Sequence, residues 1–152
     1  MEHGDSIFRV LDPKAAKALS PEIRVGIGTP FIVHDPDTFQ TQMLFTGWED
    51  VTGRARRIYV SNIDENLRVT NVRRIADGGL FSVTGLNTVS AVWDDYNEQW
   101  IVSATAYGVE WYPISCGYFM FFDKTWALKD RQEIDFEQSI HGAMWVPSLD
   151  DG

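Results

Sequence analysis

The sequence predicts an all-β fold of antiparallel four-stranded meanders repeated in tandem, and three observations predict it. The segment from Ile27 to Ile75 can be laid over the segment from Leu86 to Ile134. Within both, short apolar runs alternate with reversals rich in Asp, Asn and Pro. Aromatic residues make up 13% of the chain, with six Trp, a composition that suits pleated sheets better than helix bundles.

In the first unit Thr29-Pro30-Phe31-Ile32-Val33 reads as strand one and aligns with Thr88-Val89-Ser90-Ala91-Val92 of the second. Acidic turns follow in both, at His34 to Asp37 and Trp93 to Asn97. Strand two is Met43-Leu44-Phe45-Thr46 in one unit and Trp100-Ile101-Val102-Ser103 in the other. A longer loop comes next, Gly47 to Ala55 or Ala106 to Gly117, and then strand three, Arg57 to Ser61 or Tyr118 to Phe122. A fourth strand closes each unit around Val69 to Ile75 and Arg131 to Ile134. Four strands in roughly sixty residues, twice over, read as β-propeller blades, with a closed β-barrel as the alternative.

The register extends to both ends. Ile7 to Asp12 and Glu22 to Val25 resemble strands three and four of a preceding unit, with Lys14 to Leu19 as one helical turn stopped by Pro21. Ile140 to Val146 resembles strand one of a following unit. The expected organisation is a single domain: a rear half-blade at 7–25, blades at 27–76 and 86–135, and a front strand at 140–152. Unpaired strand edges are usually closed or paired, so these terminal strands predict a homo-oligomer.

A formal charge of −9 argues against a nucleic-acid partner. No apolar run approaches the ~20 residues that span a bilayer, and the first residues have neither the basic nor the apolar region of a signal peptide. The default compartment is therefore the cytoplasm, with a virion or other assembly as a further destination. Cys116 is the lone cysteine. His3, His34 and His141 lack metal-ligand spacing, so neither metal nor cofactor is expected.

Blade geometry sorts the polar residues onto two ends. One end collects Thr29, Asn87 and His141, ringed by Trp48, Glu49, Asp50, Arg54 and Arg56 from the first long loop and by Tyr107, Glu110, Trp111 and Tyr112 from the second. Aromatic rings beside carboxylates and arginine are what an oligosaccharide site needs; alternatively Trp48 and Trp111 pack the loops onto the blades. The ligand-binding candidates are Trp48, Glu49, Asp50, Arg54, Asn87, Tyr107, Glu110, Trp111 and His141. The other end carries Asp35, Asp37, Asp64, Glu65, Asp94, Asp95 and Lys124, which read as solvated turn residues.

Pro30-Phe31-Ile32-Val33, an acidic turn, Met43-Leu44-Phe45-Thr46-Gly47 and then Ile58-Tyr59-Val60-Ser61-Asn62-Ile63-Asp64 together resemble a blade of the arabinanase-type and invertase-type glycosidases. The resemblance implies five-bladed propellers and a pair of catalytic carboxylates. His34-Asp35-Pro36 is similar to the motif whose Asp serves as base in arabinanases, but here it follows a complete strand, which puts Asp35 in the outer turn. No Glu occupies a strand-one position, leaving Glu49, Asp50 and Glu110 as loop carboxylates. The expected function is a non-catalytic binding or assembly module with glycosidase-like blades; the alternative is a glycoside hydrolase active only as an oligomeric ring.

Overall fold

The computed structural model describes residues 13–52, 54–81, 84–107 and 113–135. The fold is all-β apart from a short helix and a 3₁₀ turn. Helix α1 (Pro13–Leu19) leads into strands β1 (Gly26–His34), β2 (Thr41–Trp48), β3 (Arg56–Ile63) and β4 (Val69–Ala76). A 3₁₀ turn at Gly78–Phe81 precedes β5 (Gly85–Asp94), β6 (Gln99–Tyr107), β7 (Pro113–Phe122) and β8 (Leu128–Asp135). Each set of four forms one antiparallel sheet in sequence order, β1-β2-β3-β4 and β5-β6-β7-β8. Among the described residues neither sheet closes on itself, so the barrel alternative is not the arrangement adopted. The expected strands Ile7 to Asp12 and Ile140 to Val146 lie outside the described residues.

The two sheets repeat with a constant spacing of 59 residues. Gly26 opposite Trp48 corresponds to Gly85 opposite Tyr107, and Phe45 opposite Tyr59 to Ala104 opposite Tyr118. The first strand of each sheet has a register shift, between Gly28 and Phe31 and between Asn87 and Val89. The same threonine locks both shifts: Thr46 Oγ1 donates to the Gly28 carbonyl (3.1 Å) and Thr105 Oγ1 to that of Asn87 (3.2 Å). The turns match too. Phe39 and Glu98 have φ of 59° and 48°, and Leu67 and Trp126 of 60° and 64°.

The register of this repeat differs by two residues from the one the sequence pattern predicts. Met43 to Thr46 correspond in the ladders to Val102 to Thr105 and not to Trp100 to Ser103, and Tyr59, not Arg57, corresponds to Tyr118. An alternating strand looks the same after a shift of two residues, because each side chain keeps its face. Only the turn geometry distinguishes the two registers.

The sheets stack face on face, with β5 lying across β1, β2 and β3. Leu44, Ile58 and Val60 of the first sheet bury against Trp100, Val102, Ala104, Tyr118, Met120 and Phe122 of the second. Trp126 closes this core: its indole stacks on Trp100 (4.9 Å between centroids, 9° between planes) and its Nε1–H donates to Gln42 Oε1 across the sheets (3.0 Å). The first sheet's opposite face, with Met43, Phe45, Tyr59 and Ile63, is covered by Ala16 of α1 and by Ile23.

Glu22 to Val25, expected as a strand, instead form a turn and bend. The Ile23 N–H closes a tight turn onto the Ser20 carbonyl (3.0 Å), and the Arg24 and Val25 N–H groups both reach the Trp48 carbonyl (2.9 and 3.3 Å). The reason is burial. Ile23 is 0% exposed beneath β2 and β3, and it reaches Gly47, where a Cβ would fall 2.9 Å from its Cγ1 and 2.7 Å from the Tyr59 ring.

Gly85 is the second position where only a hydrogen fits, since a Cβ there would overlap the carbonyl oxygen of Arg54 in the β2–β3 loop. Gly85→Ala is expected to lower stability by about 1–3 kcal/mol through overpacking at this inter-sheet contact. Gly28→Ala, with a neighbour no closer than 3.5 Å, should change little. Urea unfolding checks both, read as a shifted midpoint at unchanged slope.

Candidate functional site

The β2–β3 end of the first sheet gathers the aromatic and charged residues that the sequence singled out. Trp48 ends β2, opposite Gly26 on one side and Arg56 on the other. Its ring lies over Gly26, where a Cβ would fall 2.8 Å away, and the Arg56 guanidinium sits 4.7 Å from its centroid. Arg56 Nη1 also donates to Asn87 Oδ1 of β5 (2.8 Å). Trp48, Arg56 and Asn87 therefore form a stack that ties the two sheets, and the ring's partner is the protein's own cation. The Trp48 Nε1 is buried with no hydrogen-bond partner among the described residues.

Glu49 anchors a second cluster. Its Oε1 accepts from the Tyr59 hydroxyl (2.7 Å) and from Arg74 Nη1 (3.1 Å), while Arg57 Nε lies 3.6 Å from Oε2. The last distance is ion-pair reach but too long for a hydrogen bond, so Arg57 Nε is a buried donor without a bonded acceptor. Arg57 instead uses Nη1 to hold the Thr84 carbonyl (2.8 Å). Tyr59 is 0% exposed. Burial, and then its bond to the Glu49 carboxylate, push the phenol well above its ordinary range. The phenol is thus a hydrogen-bond donor held neutral, and the carboxylate is enclosed by one hydroxyl and two cations.

Asp50 caps its own loop: Oδ2 accepts from the Thr52 hydroxyl (2.6 Å) and Oδ1 from the Ala55 N–H (3.0 Å). Arg54 is exposed beside it. Tyr107 ends β6 at the position that corresponds to Trp48. Glu110, Trp111, Tyr112 and His141 lie outside the described residues. The structure thus joins Trp48 with Asn87 through Arg56, and it joins Glu49 with Arg57, Tyr59 and Arg74. Of this second group the sequence pointed only to Glu49. Arg74 faces Tyr59 across β3 and β4, a neighbourhood created by register between residues distant in sequence.

At the opposite end four turns share one device. Asp35 Oδ1 accepts from the Asp37 and Thr38 N–H groups (3.1 and 2.8 Å), and Asp64, Asp94 and Asp123 do likewise in their own turns. Asp35 is therefore a turn cap, remote from Glu49. The Thr38 N–H holds its carboxyl below the usual range; Asn97 does so for Asp94 and the Thr125 hydroxyl for Asp123. Among the described residues no group of His, Cys, Asp and Glu is placed to hold a metal ion, and no helix is long and apolar enough to cross a membrane.

No family model matches the chain, and comparison with curated proteins and with solved structures gives no match.

Two predictions follow from these clusters. Glu49→Ala strips the acceptor from the buried Tyr59 hydroxyl and leaves Arg57 unpaired, so it should cost about 2–4 kcal/mol in urea unfolding. Tyr59→Phe, which removes the donor and leaves the carboxylate with its arginines, should cost less than half as much. Separately, the turn carboxyls have folded pKa values below their unfolded values near ~3.9. Their stabilisation is fully present above the unfolded value and lost as pH falls through the lower folded values. Asp35→Asn, Asp94→Asn and Asp123→Asn combined should flatten the acid-side fall in melting temperature below about pH 4, measured between pH 2 and 6.

Proposed function

We propose that this chain is a non-catalytic assembly or binding module made of propeller-type blades like those of the arabinanase and invertase glycosidases. The observation that carries the reading is the sense of the stack. The second sheet meets the first with Val102, Tyr118 and Phe122, the positions that in the first sheet (Met43, Tyr59, Ile63) face α1. The first sheet meets the second with Gln42, Leu44 and Val60, which recur on the second sheet's far side as Ile101, Ser103 and Phe119. Such an interface is head-to-tail, and head-to-tail contacts propagate until a ring closes.

The state of the carboxylates favours binding or assembly over hydrolysis. A glycosidase holds two carboxyl groups free to meet the glycosidic bond from both sides. Glu49 is taken up by Tyr59, Arg74 and Arg57, and Asp50 by its loop. The far face of the second sheet, with Ile101, Phe119 and Phe121 half-buried, is where a further blade-like unit from a second copy docks.

Light scattering coupled to gel filtration tests this. The native chain should run above its 17.3 kDa monomer mass, and Ile101→Asp with Phe121→Asp should return it to that mass with its β-sheet circular dichroism retained. A native monomer overturns the assembly reading. Cleavage of an arabinan or fructan oligosaccharide, abolished by Glu49→Gln, overturns the non-catalytic one.

A further inference from the structure

A cleft of about 500 Å³ opens on the outer part of the first sheet, lined by Gln42, Val60, Asn62, Asn71, Val72 and Arg73. We propose that it binds a small polar ligand carrying a carboxylate, a group that acidic sugars and peptide C-termini share.

The donors begin with the inter-sheet contact. Trp126 Nε1–H occupies Gln42 Oε1, which orients the Gln42 amide so that its Nε2 donates to Asn62 Oδ1 (3.2 Å). With its oxygen engaged, Asn62 has its own NH₂ left to offer, so the relay ends in a donor at the cleft wall. Asn71 adds a second carboxamide with no side-chain hydrogen bond among the described residues.

Arg73 supplies the charge. Its Nη2 donates to the Thr125 carbonyl, which holds the guanidinium in place without neutralising it, and no carboxylate lies within ion-pair distance of it among the described residues. Neighbouring Lys124 is different, since Asp37 meets it with both oxygens at 3.0 Å. A fixed, unneutralised guanidinium beside carboxamide donors is complementary to a carboxylate, which such a fork binds through charge-assisted bonds. The volume lies within the range of small-ligand sites.

The cleft is also where the 59-residue repeat breaks. Gln42 and Asn62 correspond to Ile101 and Phe121, and Arg73 to Gln132. In β4 the register shifts between Val60 and Asn62, with Asn71 at φ 53°. The corresponding Asp130 of β8 has no positive φ and pairs with Phe121, and the shift of that ladder falls one step on, between Phe121 and Phe122. A left-handed non-glycine residue in a strand costs on the order of 1 kcal/mol, and bulges of this kind re-aim side chains next to binding sites.

The test is titration of the full chain followed by NMR, reading the Trp126 indole N–H and the side-chain amides of Gln42, Asn62 and Asn71. Glucuronate and N-acetyl-triglycine are the probes, with glucose and N-acetyl-triglycine amide as their neutral counterparts. Saturable shifts at the four reporters with either acid, absent with its neutral counterpart, are expected, and the acid that binds tighter identifies the source. Arg73→Gln should weaken binding about tenfold or more. Asn71→Gly, which accepts the left-handed backbone and keeps the fold, should weaken it several-fold with an unchanged melting temperature. Absence of saturable shifts with both acids, equal shifts from the neutral compounds, or unchanged affinity in Asn71→Gly overturns the proposal.

Discussion

The hydrogen bond from the Trp126 indole to Gln42 is the contact on which the arrangement of the two sheets depends. It is made inside the core, where an unmet donor costs about 1–3 kcal/mol, and it joins the β7–β8 turn of one sheet to β2 of the other. To deliver the ring, Trp126 adopts φ 64°, a conformation costly for a bulky residue. Trp100 offsets this with a stacked contact and Phe122 with a tilted one. The corresponding Leu67 has the same backbone but is 49% exposed. One turn geometry thus serves as a solvated reversal in the first sheet and as the inter-sheet wedge in the second.

The ends of the stack are divided by chemistry. At the β2–β3 end three arginines are absorbed: Arg56 over Trp48 and onto Asn87, Arg57 and Arg74 around Glu49. These contacts cross between strands and between sheets, so they stiffen the end where a ligand platform was expected. At the other end Asp35, Asp64, Asp94 and Asp123 are each engaged within their own turns. The cleft beside Asn71 differs from both, because its guanidinium is held by a backbone carbonyl and retains its charge.

Much of the fold was legible because turn chemistry is local. Asp35 and Asp94, Asp64 and Asp123 mark reversals through contacts within a few residues, and strands between such marks have little freedom of length. The register inside the strands was less legible, since Met43 to Thr46 fits two alignments two residues apart without changing face. Ile23 misled for a related reason: an apolar residue between polar neighbours reads as a strand, yet here it is a single plug under β2 and β3. The site was legible in composition and not in connection. Trp48 and Glu49 were visible, whereas Tyr59 and Arg74 join them only through the ladder, and Arg73 acquires its place from a bulge that no residue pattern announces.

The constant spacing has a consequence for folding. Two sheets with similar strand lengths, matching outer reversals and the same threonine locks offer each strand a near-equivalent partner in the other sheet, and mispairing between like units is a characteristic failure of repeat chains. Short connections oppose it kinetically, because neighbouring strands meet before distant ones. The positions where the units differ oppose it energetically. A β2 strand lodged in the second sheet would carry Gln42 to the place of Ile101, and a misplaced first-unit turn would bring Leu67 where Trp126 belongs, leaving the core without its wedge. The substitutions that spoil the symmetry of the repeat are therefore also what tells each strand which sheet is its own.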